Sequence, residues 1–399
     1  MAMTANREAG LEKMDAFRDR MGRHYAAQRN FDRGPGQHHG VSMLSPYTRR
    51  RLVTEREIAQ TALQSHSFSA AEKFVQEVIW RSYWKGWLER RPSVWADYRR
   101  EVSEERRRWS GDSGLDAAMA GETGIDCFDA WAAELVETGY VHNHARMWFA
   151  SIWIFTLGLP WQLGADFFLR HLLDGDPASN TLGWRWVAGL HTAGKTYAAR
   201  ASNIAKYTDE RFRPGPGVLS DRVEPVAWPE HPPALPVRTP RAPEAGRPPL
   251  LVITEEDCAP EQIALSFPNV TGIATIWLSP ERTDAGASAA VERFDRDALA
   301  DAARRAEIAF DAGSERIEDP RPQALIEAAQ RVGATQIATP FLPTGPVKDW
   351  FDRNAQSFTV AGLPVTEVMR DWDRVIWPHA TAGFFKLKKQ IPKIVAELC

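Results

Sequence analysis

The stretch "DGDPASNTLGWRW", Asp174 to Trp186, sets two carboxylates, an Asn and two indoles within thirteen positions. Asp-Gly-Asp-Pro reads as a turn, after which Ser or Asn caps a helix predicted to begin near Leu182. Residues two apart on a helix face different sides, so Trp184 and Trp186 serve different surfaces. The turn and the cap account for the polar residues and leave the indoles unexplained.

Around this stretch, residues 8 to about 212 read as helical, with apolar residues at three-and-four spacing in segments such as "SAAEKFVQEVIWRSYWKGWLERR". Breaks fall at "RGPGQHHG", "GDSG" and "DGDP". Eleven prolines between Pro214 and Pro249 then mark a semi-extended linker with few packing contacts, so residues 1–212 are expected to fold on their own. Beyond it, "PLLVITEE", "GIATIWLS", "ATQIATPF" and "LPVTEV" read as buried strands alternating with helical text such as "DRDALADAARRAEIAF" and "PQALIEAAQRVG". That alternation predicts a parallel sheet with helices on both faces. The expected chain is therefore multi-domain: an all-α domain over 1–212, a Pro-rich linker over 213–249 and a Rossmann-like α/β domain over 250–399. No glycine-rich phosphate loop follows the first strand.

Charge does not single out a partner. Residues 1–212 hold 28 Lys and Arg against 26 Asp and Glu, and the remainder 21 against 26, so neither part is basic enough to announce nucleic-acid binding. The clusters Arg49–Arg51 and Arg106–Arg108 read as solvated helix faces. Three cysteines at 127, 258 and 399, none within metal-ligand spacing of another, predict no disulfide framework and no metal site. The N-terminus lacks the apolar core of a secretory signal, and the run "MWFASIWIFTLGLPW" is shorter than a membrane span, so a cytoplasmic protein with no membrane association is expected. Eleven of the sixteen tryptophans lie between Trp80 and Trp186, which suits an aromatic core, a flat aromatic ligand or electron transfer.

Two helical tracts gather chemistry on single faces. "HNHARM" puts Asn143, Arg146 and Met147 together, and "EVIWR" does the same for Glu77, Trp80 and Arg81. His142 and His144, two apart, diverge and lack further ligands, which argues against a metal.

These tracts, with "YAAQRNF" from Tyr25, "VSMLSP" from Val41 and the opening stretch, resemble the photolyase and cryptochrome family of flavoproteins in order and approximate spacing over residues 25–203. The resemblance implies a helical FAD-binding domain. Tyr25, Ser42, Leu44 and Ser45 would hold the FAD phosphates, a task suited to a loop of hydroxyls and amides at a helix start. Val41 stands where the family usually has Thr. Arg81, Asn143, Arg146, Asp174, Asp176 and Asn180 would surround the flavin, with Arg146 and Asp174 paired and Asn180 near N5. Trp184, Trp161 and Trp109 match the family's electron-transfer chain. Glu77, Trp80, Asn143, Met147 and Trp186 match its catalytic clamp for a flipped pyrimidine dimer, and Arg29, Arg81 and Arg200 its phosphate contacts.

The resemblance further implies light-driven, FAD-dependent repair of cyclobutane pyrimidine dimers, with UV-damaged DNA as partner. The alternative is a cryptochrome-like blue-light photoreceptor that signals to a protein. The retained clamp favours repair, whereas His144 replaces an Arg expected to meet DNA. Residues 321–368 are similar to the later half of the family's antenna domain, which ordinarily comes first. This suggests a circular permutation, while the antenna pigment stays unidentified.

Overall fold

The computed structural model describes residues 3–192, 194–226 and 230–399. A helical part is followed by a five-stranded sheet flanked by helices, the fold class expected from the sequence. The longest helix of the first part, Phe68–Glu89, packs against Glu55–Ser65 and against the helix born of the opening stretch. It ends where Pro92, which has no N–H to donate, opens the next helix.

The opening stretch becomes helical earlier than expected, at Pro177 instead of near Leu182. Asp176 is the cap: its carboxylate accepts the Ser179 N–H at 2.8 Å, and Pro177 supplies a preset backbone angle at the first helical position. Neither Ser nor Asn is then needed as a cap. Asn180 sits inside the helix with its amide free for other work. The apolar run from Met147 folds as the end of helix Asn143–Ser151 and a π-helical turn, Ile152–Thr156. Among the described residues no helix is long and apolar enough to cross a membrane.

The sheet comprises β1 (Pro249–Ile253), β2 (Gly272–Ile276), β3 (Ser314–Ile317), β4 (Gln336–Pro340) and β5 (Val365–Val368), all parallel in the order β3-β2-β1-β4-β5. Four strands fall on the expected apolar runs. The fifth, β3, is an edge strand whose Ser314, Glu315 and Arg316 are exposed, so it carries no apolar run to read. "KDWFDRNAQSF" forms two short helices parted at Asn354.

The two parts are joined more extensively than the proline-rich composition suggests. One continuous apolar core contains Tyr47, Trp87 and Leu173 of the first part and Leu251, Ile253, Trp372 and Trp377 of the second. Arg49, Arg50 and Arg51, expected on a solvated face, are 3 %, 0 % and 4 % exposed. Arg49 pairs with Glu256 at 2.6 Å, Arg50 with Asp295 at 2.5 Å, and Arg51 with Asp257 at 3.2 Å and Asp373 at 2.6 Å. A guanidinium can be buried this deeply only where carboxylates meet it. Here those four carboxylates come from the α/β part, and the helical part adds only Glu55, 3.4 Å from Arg51. Arg107 and Arg108 are exposed as expected.

The proline-rich segment also seats on both parts. Leu235 N–H donates to the Arg90 carbonyl at 2.8 Å, His231 contacts the His191 carbonyl at 2.9 Å, and Arg238 bonds both Glu89 and Glu367. Independent folding of residues 1–212 therefore loses its physical basis.

Candidate functional site

A cavity of about 610 Å³ opens in the helical part. Helix Phe68–Glu89 supplies Glu77, Trp80, Arg81 and Trp84 to its wall, and helix Asn143–Ser151 supplies Asn143, Arg146 and Met147. Helix Pro177–Val187 and the loop before it add Asp174, Asp176, Asn180, Trp184 and Trp186, and the loop 41–45 adds Ser42, Leu44 and Ser45. Tyr25 and Arg29 line it too. The three- and four-residue spacings read from the sequence thus converge on one concavity.

Trp161, Trp109 and Arg200 lie off this wall. Trp161, 3 % exposed, stacks on Tyr98 with ring centroids 5.6 Å apart, and Trp109 is half-buried where helix Pro92–Arg108 ends. Arg200 lines a second, neighbouring hollow with Tyr197 and Lys206. The connection between the hollows is aromatic, since Trp186 packs on Tyr197 at 5.4 Å.

Electrostatically the cavity has a charged, buried end. Arg146 pairs with Asp174 at 2.9 Å and also donates to the Val141 carbonyl. Burial works to raise the Asp174 carboxyl, but Arg146 and the Ser45 hydroxyl outweigh it and hold its pKa below the ordinary value. Asp176, 1 % exposed, is held well below as well: burial opposes ionisation, and Lys85, Arg81 and Arg49 overcome it together with the Ser179 N–H. Lys85 lies 3.5 Å from Asp176 and 3.4 Å from Glu256, linking the cavity to the end of β1. Sequence reading missed Lys85 because its signal is only the i, i+4 spacing from Arg81.

Several observations test whether FAD suits this cavity. Two buried atoms of lining residues, Asp174 Oδ1 and Ser179 Oγ, have no hydrogen-bond partner among the described residues, and Arg81 Nη1 meets Asp176 Oδ2 only as an ion pair at 3.8 Å. Such atoms match the amide-like edge of an isoalloxazine, which offers both donors and acceptors. Asn180 Nδ2 donates to the Ala165 carbonyl at 2.7 Å, which leaves the amide oxygen as its free acceptor. Gly183 lies on the wall, and a Cβ there would meet nothing within 4 Å, so a flat ring can approach the helix backbone. Behind it Trp184 is fixed: a Cβ on Gly164 would fall 2.3 Å from its ring, and Trp153 lies 6.1 Å from it, edge-on.

His142 and His144 part ways as expected. His142 caps its helix by accepting the His144 N–H, and burial lowers its pKa to about 3. His144 is bonded to the Asn30 carbonyl and Tyr197. Elsewhere, Asp32, His38 and Glu134 place possible ligand atoms within 4.8 Å of one another, a grouping the sequence does not reveal. Asp32 already accepts from Arg211 at 2.6 Å and Trp131 at 2.9 Å, so its carboxylate is committed to the fold.

Residues 74–212 match the FAD binding domain of DNA photolyase. The chain is 37 % identical over 154 residues to a deoxyribodipyrimidine photo-lyase of Streptomyces griseus, covering 38 % of this chain and 33 % of that one. With a deoxyribodipyrimidine photo-lyase of Thermus thermophilus, identity is 35 % over 190 residues, 46 % of this chain and 42 % of that. Against a class III photolyase structure from Agrobacterium tumefaciens the TM-score is 0.43 at 25 % identity, over 51 % of this chain and 43 % of that. The chain thus spans less than half the length of each of these relatives. Residues 74–212, the stretch similar to that FAD binding domain, carry most of the cavity wall, so the similarity and the cavity fall on the same part of the chain.

Proposed function

We propose that this protein splits cyclobutane pyrimidine dimers in DNA under near-ultraviolet or blue light. The observation that carries the reading is that Glu77, Trp80, Asn143, Met147 and Trp186 line the same cavity as Asp174, Asp176 and Asn180. A substrate-binding set and a cofactor-binding set in one concavity leave an electron only a short distance to travel. When bound and reduced, FAD supplies the excited-state electron that opens the cyclobutane ring.

The chain's own groups do the rest. The ionised Asp174 and Asp176 accept hydrogen bonds and keep Arg146 and Arg81 oriented. The Asn180 oxygen accepts one more without adding charge. Arg29 pairs with Glu77, fixing a carboxylate that can accept a pyrimidine N–H. Trp80 and Trp186 offer stacking faces, and Met147 adapts to an irregular apolar shape. Extrusion is easiest at a damaged pair, where lost stacking and pairing cost only a few kcal/mol. Trp184, Trp161 and Trp109 would refill an oxidised flavin's electron deficit from solvent. The order of the parts, flavin-binding first, supports reading domains 1–212 and 250–399 as a circular permutation joined by 213–249.

One observation favours the photoreceptor alternative. His144 is 8 % exposed and committed to Asn30 and Tyr197, so it offers no phosphate contact where an Arg would. The deciding experiment illuminates reduced protein with thymine-dimer oligonucleotide and counts dimers remaining. Loss of dimers is expected. Intact dimers beside a flavin that blue light readily reduces would transfer the assignment to signalling.

A further inference from the structure

The C-terminal part of the chain reaches the mouth of the cavity, a placement nothing in its sequence announces. Phe385, on the short helix Phe384–Lys388, lines the cavity although it belongs to the α/β part. It is 77 % exposed, the one aromatic among the exposed large apolar residues of the described chain. Its neighbour Phe384 is buried and stacks on Trp80 with ring centroids 3.6 Å apart and planes 13° apart. Phe384 is off the cavity wall while Trp80 is on it, so Phe384 backs the indole from behind.

The segment is firmly seated. Tyr83 donates to the Ala382 carbonyl at 2.8 Å, Trp372 donates to Ser82 at 2.7 Å, and Trp377 fills the space that a Cβ on Gly86 would need. An aromatic held out in water on a seated backbone has less chain freedom to lose on binding, which favours a binding role over chance exposure. The charge around it is also local. Residues 383–399 carry four lysines against one glutamate, in a half of the chain that is otherwise acidic. Lys386, Lys389 and Lys393 are exposed.

We infer that this segment is part of the nucleic-acid face: Phe385 stacks on a base bared at the cavity mouth when nucleotides leave the duplex, and Lys386, Lys389 and Lys393 meet the adjoining phosphates. The inference rests on the repair reading. An aromatic face accepts any base, so the contact adds affinity for an opened duplex without reading sequence. Phe384 is the positioning residue that holds Trp80 for its own stack.

The test compares wild type, Phe385→Ser, Phe385→Trp and Lys386→Ala/Lys389→Ala for affinity to a duplex carrying one thymine dimer and to its undamaged counterpart. Flavin absorbance and elution volume are followed in parallel. Phe385→Ser is expected to bind the dimer duplex about five- to fifty-fold more weakly, with undamaged duplex little changed, and Phe385→Trp to restore binding. The double lysine variant is expected to weaken both duplexes and reduce the salt slope by about 2. A Phe385→Ser protein that holds flavin and binds the dimer duplex like wild type overturns the inference while leaving the repair reading intact. So does a change of elution volume that marks Phe385 as a contact between two copies of the chain. Failure of wild type itself to prefer damaged duplex removes the repair reading and this inference together.

Discussion

Asp174 and Asp176 stand two residues apart and do different work. Asp174 neutralises Arg146, and Asp176 caps a helix while holding Lys85 and Arg81. Removing one partner of a buried pair leaves the other charged and desolvated. Arg146 retains 22 % side-chain exposure, so Asp174→Ala is expected to lose about 2 kcal/mol, less than the 3–5 kcal/mol of a fully buried pair, along with most of its flavin. Thermal unfolding and the flavin-to-protein absorbance ratio check this; a fully loaded, equally stable variant would displace Asp174 from the cofactor's surroundings. Trp161 sets a different problem, because a buried indole stacked on Tyr98 can be core alone. Trp161→Phe preserves an apolar aromatic and is expected to cost about 1 kcal/mol or less. Phe is far harder to oxidise than Trp, so flavin content should stay normal while blue-light reduction slows severely and repair by chemically reduced protein survives. Photoreduction at the wild-type rate would return Trp161 to the role of packing.

Helix Pro177–Val187 shows how an element's design can conflict with its own stability. Glycine inside a helix costs about 1 kcal/mol relative to alanine, and at Gly183 a Cβ would meet only empty cavity. Gly183→Leu is therefore expected to leave the flavin-free protein as stable or slightly more so, while flavin occupancy falls sharply. Equal occupancy in the leucine variant would show that the ring does not lie against this helix. The helix also marks what could be read from sequence. Side-chain spacing within single helices was legible, so Glu77 with Trp80, and Asn143 with Arg146 and Met147, were placed on faces that do converge. The helix start was misplaced because an Asp-Pro pair can end a turn or open a helix, and only the Ser179 N–H decides. Contacts between distant segments left no local signal. The burial of Arg49–Arg51, the Lys85 bridge and the arrival of Phe385 each depend on residues more than a hundred positions away. The strand Ser314–Ile317 escaped notice because an exposed edge requires polar residues, which resemble a loop.

At the scale of the whole molecule, the buried ion pairs make each part a condition for the other. A fragment of residues 1–212 keeps Arg49, Arg50 and Arg51 but loses Glu256, Asp257, Asp295 and Asp373, and is expected to be insoluble or devoid of flavin when expressed alone. A soluble yellow fragment would refute that dependence. The same junction should respond to pH. Burial raises Glu255 to about 8, with Asp295 and Glu256 adding to the effect, against 4.5 for a free side chain. Between those values the folded protein keeps a proton that the unfolded chain has lost, so stability falls as pH rises through the window. Asp174 and Asp176, whose pKa values are lowered, act the other way and withdraw their support only as the solution turns strongly acid. Glu255→Gln is expected to flatten the decline in unfolding midpoint from pH 5 to 8; an unchanged slope would locate its source elsewhere. Arg51 meets Asp373 across 322 positions of chain, and this has a consequence during synthesis. At about 5–20 residues per second, a ribosome needs roughly 16 to 64 seconds to deliver the aspartate after the arginine. Glu256, Asp257 and Asp295 emerge within that interval, so the cationic cluster of the nascent helical region is matched in steps, and its last carboxylate arrives only when translation is almost finished.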